Sequence, residues 1–177
     1  MYYSKKYLSP IGRLTISYDD KHITGLWNEG QKYYGGDTLK NAEEKDESPV
    51  LEAAVRWLEG YFAGENPGLF GLSLKPEGSE FCQNVWELLL EIPYGKTVTY
   101  GFVAKKTAEK MNKKAMAGQA VGQAVGRNPI SIIIPCHRVI GTNGSLTGYA
   151  GGLDKKIKLL EHEGVDTTKF FIPKAGT

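Results

Sequence analysis

Cysteine, histidine and long apolar runs are all scarce in this chain of 177 residues, and each scarcity removes a class of protein. Two cysteines, Cys82 and Cys136, are too few for a disulfide scaffold, and with His22, His137 and His162 they show none of the spacings of a zinc site. Reduced thiols, no metal and no cofactor are therefore expected. No apolar segment approaches the roughly 20 residues that span a bilayer, so no membrane partner is expected. The start, Met1-Tyr2-Tyr3-Ser4-Lys5-Lys6, lacks the apolar core of a signal peptide, which makes the cytoplasm the expected compartment, one that keeps thiols reduced. With 41% apolar and 24% charged residues, the chain can bury one good core or two small ones.

The net charge of +2 conceals an asymmetry. Residues 1–78 carry nine Lys/Arg against twelve Asp/Glu, a balance of −3; residues 79–177 carry thirteen against eight, a balance of +5. The basic half is the candidate polyanion surface. Its pairs Lys105-Lys106, Lys113-Lys114 and Lys155-Lys156 also read as solvated helix faces.

Residues 2 to 8 read as a first strand, Ser9-Pro10-Ile11-Gly12 as a β-turn, and Leu14, Ile16 and Tyr18 as one face of a half-buried strand. Asp19-Asp20-Lys21 turns the chain and His22 to Trp27 returns it, giving an antiparallel meander. Residues 29 to 48 are polar and read as a long exposed connection. Ser48-Pro49 supplies a helix cap and first-turn proline, and Leu51, Ala54, Val55, Leu58, Tyr61 and Phe62 recur at helical spacing. A short strand is expected near Leu72 to Lys75, and a domain boundary at Pro76-Glu77-Gly78. The first domain, 1–76, is thus expected to be a small antiparallel sheet with one covering helix.

From 77 to 177 helices dominate. Ser79 caps one carrying Phe81, Val85, Trp86, Leu88, Leu89 and Ile92; Thr99 caps a shorter one to about Ala108; a third is expected from about Lys113 to Val125. The layout is that of a helix-turn-helix. Gly118, Gly122 and Gly126 share one face of the third helix although each costs about 1 kcal/mol relative to alanine. Either another helix packs there, or a slim face is kept for the narrow minor groove of DNA. Asn143-Gly144 signals a hairpin between Val139-Ile140 and Leu146-Thr147, a wing after the helices. Overall the class is α+β.

One stretch carries chemistry. The apolar run Ile130-Ser131-Ile132-Ile133-Ile134 reads as a buried strand or its extended equivalent, and Pro135-Cys136-His137-Arg138-Val139 leaves it. A free cysteine is commonly a small core residue. Beside an imidazole and a guanidinium, however, a thiol has a proton acceptor and a cation that favour thiolate.

With Ile140, that stretch resembles the active-site signature of the O6-alkylguanine-DNA alkyltransferases, the methylated-DNA-protein-cysteine methyltransferases. The resemblance continues through Val85-Trp86, Ile92-Pro93-Tyr94-Gly95, Thr99-Tyr100-Gly101, Ala120-Val121-Gly122 and Asn128-Pro129. Downstream it includes Gly148-Tyr149-Ala150-Gly151-Gly152, Lys156, Leu159-Leu160 and Glu163-Gly164. About half the chain is covered.

The resemblance implies an RNase H-like first domain and an alkyl-accepting DNA-binding second one. It implies repair of double-stranded DNA through the minor groove, by a chain without an obligate protein partner, expected to be a monomer. Cys136 would take the alkyl group from O6 of a flipped guanine, with O4-alkylthymine a second candidate. His137 would serve as base through a water, Glu163 would orient it, and Asn128 would hold the turn. Tyr100 would help rotate the nucleotide, and Lys156 would support charge. Tyr149, Val139, Gly148, Ala150 and Gly151 would line the base pocket. Tyr100, Gln119, Ala120, Gly122, Lys113, Lys114, Arg127 and Arg138 would face DNA.

Two departures stand out. Gln119 occupies the position of the family's intercalating arginine, and Ala150 a position where many relatives carry serine. A thioether product is not reversed by cellular thiols, so each molecule would act once. Three rivals are a Cys-His hydrolase, a winged-helix regulator and a lesion sensor of the alkyltransferase-like kind. The last carries tryptophan where Cys136 stands.

Overall fold

A computed structural model describes residues 1–173, in two compact units: residues 1–77 with Pro129–Ser131, and Gly78–Asn128 with the chain from Ile132 on.

In the first unit β1 (Tyr3–Ser9) and β2 (Gly12–Tyr18) form an antiparallel hairpin, and β3 (Ile23–Asn28) adds to β2. The hairpin closes because Ser9 Oγ donates to the Gly12 carbonyl at 2.6 Å and accepts from the Ile11 N–H at 3.2 Å. Residues 29–48 are not the open connection that their polarity predicts. They hold a one-turn α1 (Gly36–Lys40) and a short β4 (Glu43–Glu44) that runs parallel to β1, so the sheet is mixed, in the order β3-β2-β1-β4. From the same segment Tyr34 lies over the sheet, its hydroxyl 2.6 Å from Thr15 Oγ1 and its ring against Trp27. Thr15 and Ser17 are buried, as are Leu14, Ile16 and Tyr18. Their hydroxyls are satisfied, Ser17 by Thr24 at 2.8 Å, which is why polar residues tolerate this face.

On the sheet lies α2 (Pro49–Phe62), started by Ser48 Oγ accepting from the Val50 N–H at 3.2 Å. Its buried face is Leu51, Ala54, Trp57, Leu58 and Tyr61, with Trp57 stacked on Tyr61. The strand expected near Leu72 is only a bridge, in which the Ile23 amide and carbonyl bond to Ser73 and Lys75.

The second unit is built on α3 (Glu80–Leu89), α4 (Tyr100–Lys110) and α5 (Gly118–Gly126), which pack on one another. Ser79 and Thr99 cap the first two as their sequence positions predict. Trp86 Nε1 donates to the Ala124 carbonyl at 2.8 Å, tying α3 to α5.

The third helix begins five residues later than periodicity suggests, because α4 ends in a Schellman turn. Asn112 is left-handed (φ 55°), and the Lys113 N–H returns to the Ala108 carbonyl at 2.8 Å. β5 (Val98–Thr99) pairs in parallel with β6 (Val139–Ile140), and α6 (Leu153–His162) packs Leu160 on Ile140 and Leu146. The chain does turn at Asn143-Gly144, closed by the Gly141 N–H donating to the Ser145 carbonyl at 2.7 Å, but beyond that bond Val139-Ile140 pairs with β5 and Ser145 with Phe171.

Candidate active site

The isoleucine run before the cysteine is a turn, not a strand. Only Ile130 keeps a sheet partner, Leu26, whose N–H and C=O bond to Pro129 and Ser131. Ile132, fully buried, is left-handed at φ 72°, a conformation that a β-branched residue adopts only when its surroundings over-determine it. Asn128 supplies part of that determination, since its Nδ2 donates to the Ile134 carbonyl at 2.7 Å. An inverse γ-turn at Pro135 then brings the Cys136 N–H to 2.8 Å from the same carbonyl, and Cys136–Arg138 form one 3-10 turn leading into β6.

Cys136 is 7% exposed. Burial pushes its thiol pKa up, against a hydrogen bond from Asn128 and the charge of Lys156. Burial likewise pushes the His137 pKa down, against its bond to Glu163. The resting pair is therefore a neutral thiol and a neutral imidazole, where the sequence suggests a standing thiolate. His137 Nε2 lies 2.5 Å from Glu163 Oε2, and its Nδ1 is buried with no hydrogen-bond partner among the described residues.

Glu163 is the hub of the site. Beyond His137 it accepts from Arg138 Nε at 2.8 Å, from an Arg138 terminal nitrogen at 3.2 Å and from the Gly95 N–H at 3.0 Å. Burial alone would raise its pKa, but these donors and the histidine hold it far below the usual carboxylate range. The placement of Arg138 corrects one expectation: it does not face a DNA surface. It is buried, and its guanidinium is committed to Glu163 and, at 2.7 Å, to the Ile92 carbonyl. Nor is it the cation beside the thiol; that part falls to Lys156.

Lys156, fully buried on α6, donates to the carbonyls of Val139 at 2.6 Å and Thr147 at 3.1 Å. Burial draws its pKa down to about 8, against the charge of Cys136. Tyr100, the first residue of α4, also donates to the Thr147 carbonyl, at 2.9 Å; burial, then the cysteine's charge, push its pKa up to about 12. Thus Tyr100 and Lys156 meet at the Thr147 carbonyl, Lys156 also holds the Val139 carbonyl that follows the cysteine turn, and Tyr100 reaches the Gly148 carbonyl at 3.4 Å; Tyr149 is buried, and Ala150 and Gly151 are half-buried. Sequence reasoning missed Gly95, Ile92 and Thr147, which act through backbone atoms. The only signal was Ile92-Pro93-Tyr94-Gly95, quoted without a role.

Away from the thiol, Gln119 is exposed on α5, Ala120 and Gly122 are half-buried, and Lys113, Lys114 and Arg127 are exposed. A methyl group built on Gly118, Gly122 or Gly126 would meet no atom within 4 Å beyond the helix's own backbone among the described residues. Helix packing therefore does not explain the three glycines, and the slim face is open.

Fold and site define a class: a helix-turn-helix unit carrying a buried thiol backed by a histidine, a carboxylate and an arginine. Comparison with known proteins agrees. Residues 1–76 match the family described as "6-O-methylguanine DNA methyltransferase, ribonuclease-like domain", and residues 80–165 its "DNA binding domain". The chain belongs to the 6-O-methylguanine DNA methyltransferase family. A methylated-DNA–protein-cysteine methyltransferase of Methanosarcina acetivorans is 48% identical over 93% of this chain and 99% of its own. One from Haemophilus influenzae is 44% identical over 92% and 86%. The crystal structure of the Mycobacterium tuberculosis O6-methylguanine methyltransferase superposes with a TM-score of 0.77, at 41% identity over 92% of this chain and 93% of that one. A structure of the M. tuberculosis protein in complex with DNA gives 0.76, at 38% identity over 96% and 94%. Among the described residues no helix is long and apolar enough to cross a membrane.

Proposed function

We propose that this chain repairs DNA directly, by moving an alkyl group from O6 of guanine to Cys136 Sγ once per molecule. The S–C bond forms as the C–O bond breaks, and the thiol's proton passes through a water and His137 towards the departing guanine, which leaves neutral. The observation that carries this reading is the buried line from Arg138 and Gly95 through Glu163 to His137, ending beside the cysteine turn at a ring nitrogen without a hydrogen-bond partner among the described residues. A carboxylate fixed from three sides holds the imidazole proton on Nε2, and leaves the Nδ1 lone pair to receive a proton.

Because thiol and imidazole are both neutral at rest, the nucleophile is generated when substrate arrives, and Lys156 steadies the thiolate that forms. Asn128 acts as a positioning residue, holding the Ile134 carbonyl and so the cysteine turn. Tyr149, the Val139 carbonyl, Gly148, Ala150 and Gly151 line the base pocket, with Tyr100 at its entrance. The open glycine face of α5, with Gln119, Ala120 and Gly122, enters the minor groove of double-stranded DNA, and Lys113, Lys114 and Arg127 meet phosphates. The chain works in the cytoplasm, without an obligate protein partner, as a monomer, and O4-alkylthymine is a secondary substrate. Domain roles follow residues 1–76 and 77–177.

The test is intact-protein mass spectrometry after incubation with duplex DNA containing O6-methylguanine. One methyl should appear, on Cys136, with none on Cys136→Ser. Repeated turnover, or label on Cys82, would refute the reading.

A further inference from the structure

The segment that joins α3 to β5 touches the buried Arg138–Glu163 pair in three places, and one of them is a side chain. The Lys96 N–H bonds to the Pro93 carbonyl at 3.1 Å, and Gly95, at φ 75°, takes the position that a type II turn reserves for glycine. Just before this turn the Ile92 carbonyl accepts from Arg138 at 2.7 Å, and within it the Gly95 N–H donates to Glu163 at 3.0 Å. A Cβ on Gly95 would stand 3.0 Å from the Glu163 carbonyl, so the turn lies directly against the end of α6.

Between those two backbone bonds stands Tyr94. The Arg138 guanidinium carbon lies over its ring, 5.7 Å from the centroid, within reach of a cation–π attraction. The guanidinium spends its hydrogen bonds on Glu163 and Ile92, and its side chain keeps 10% exposure where that of the carboxylate has none. Arg138 is therefore the member of the pair nearest water, and the Tyr94 ring is set against it. Tyr94 is half-buried; burial, then the charge of Glu163, push its hydroxyl pKa up against Arg138, so the ring stays neutral and acts through its face.

We infer that Tyr94 is a positioning residue of the reaction: its ring face holds the Arg138 guanidinium on Glu163, and so keeps that carboxylate fixed on His137 Nε2. A carboxylate with a loosened clamp turns more freely, and the imidazole proton that it holds escapes to water more often. The tyrosine hydroxyl has no part in this, so phenylalanine serves equally well. Leucine supplies bulk without a negative ring face, and does not serve.

The effect on rate rests on the alkyl-transfer reading; the effect on the His137 proton does not. With isotope-labelled histidine the full chain shows three imidazoles, those of His22, His137 and His162. Exchange of the His137 Nε2 proton with water, followed by NMR without DNA, should be about fivefold faster in Tyr94→Leu than in the wild type, the equilibrium weight of one partly buried cation–π contact. Single-turnover methyl transfer from O6-methylguanine DNA should slow by the same factor, with a final yield of one methyl per chain that also shows the variant to be folded. Tyr94→Phe should restore both. In a Glu163→Gln background Tyr94→Leu should slow transfer no further, because the carboxylate through which the ring acts is gone, whereas a merely structural loss would add. Unchanged proton exchange in Tyr94→Leu, a Tyr94→Phe protein as impaired as Tyr94→Leu, or additive losses in the double variant would overturn the inference. A wild type that leaves Cys136 unmethylated would instead refute alkyl transfer, and the proton exchange would still decide the part played by Tyr94.

Discussion

Replacing Glu163 by glutamine exchanges one carboxylate oxygen for an amide NH2 group and separates two consequences. The carboxylate is fully buried as a side chain and accepts from Arg138, Gly95 and His137 at once. Glutamine keeps one acceptor oxygen, which Arg138 Nε and the Gly95 N–H already claim. Its amide nitrogen is then turned to the position that faces His137 Nε2, where two donors would meet. The imidazole resolves the conflict by moving its proton to Nδ1, and so loses the lone pair that receives the thiol proton. General-base help is worth about 10²–10⁴ in rate, and that is the expected slowing of methyl transfer. Stability falls as well. Breaking a buried pair costs about 3–5 kcal/mol, and the retained oxygen recovers part of it, so a loss of about 2–4 kcal/mol is expected.

Single-turnover quench with radiolabelled methyl on O6-methylguanine DNA reads the first effect, and urea unfolding the second. The final yield should remain one methyl per chain while only the rate drops, because the thiol itself is untouched. A folded Glu163→Gln protein that reacts at the wild-type rate would show that the carboxylate does not set the histidine tautomer, and the proton path proposed here would be wrong.

Other outcomes follow from the same geometry. His137 and Glu163 both have folded pKa values below their ordinary ones, so the stability that they contribute is complete above about 6.5 and is lost as pH falls through and below that value, the carboxylate's share below about 4.5; thermal melts across pH 3–8 should show both limbs, and Glu163→Gln should abolish the lower one. Asn128→Ala removes one of the two donors to the buried Ile134 carbonyl, leaving only the strained Cys136 N–H beside a left-handed Ile132, and should cost about 0.5–1.5 kcal/mol in urea unfolding together with a slower reaction. Gln119→Arg adds a cation to an exposed position of α5, and should tighten DNA binding and steepen its salt dependence by about one charge; unchanged affinity would place Gln119 off the DNA.

Local chemistry wrote much of this molecule legibly into its sequence. Ser48, Ser79 and Thr99 each start a helix where their hydroxyls predict, because a cap needs only an N–H two or three residues away. The Pro-Cys-His-Arg stretch and its flanking motifs pointed to Cys136, His137 and Glu163 without coordinates, and the fold does bring Glu163 to His137. What tertiary structure alone decided is where a residue's character depends on a distant partner. Ile130–Ile134 has the composition of a strand, yet it turns because Asn128 and Leu26 take its backbone groups. Residues 29–48 look solvent-bound, but Tyr34 and β4 close over the sheet edge and face. Arg138, a cation next to a thiol in sequence, is withdrawn by Glu163, twenty-five residues away, while the lysine near the thiol arrives from α6. Hydrogen-bond capping and hydrophobic period act over a few residues and can be read along the chain. Burial and charge pairing act through space, and in this protein burial raises the thiol's pKa while the Lys156 charge opposes it.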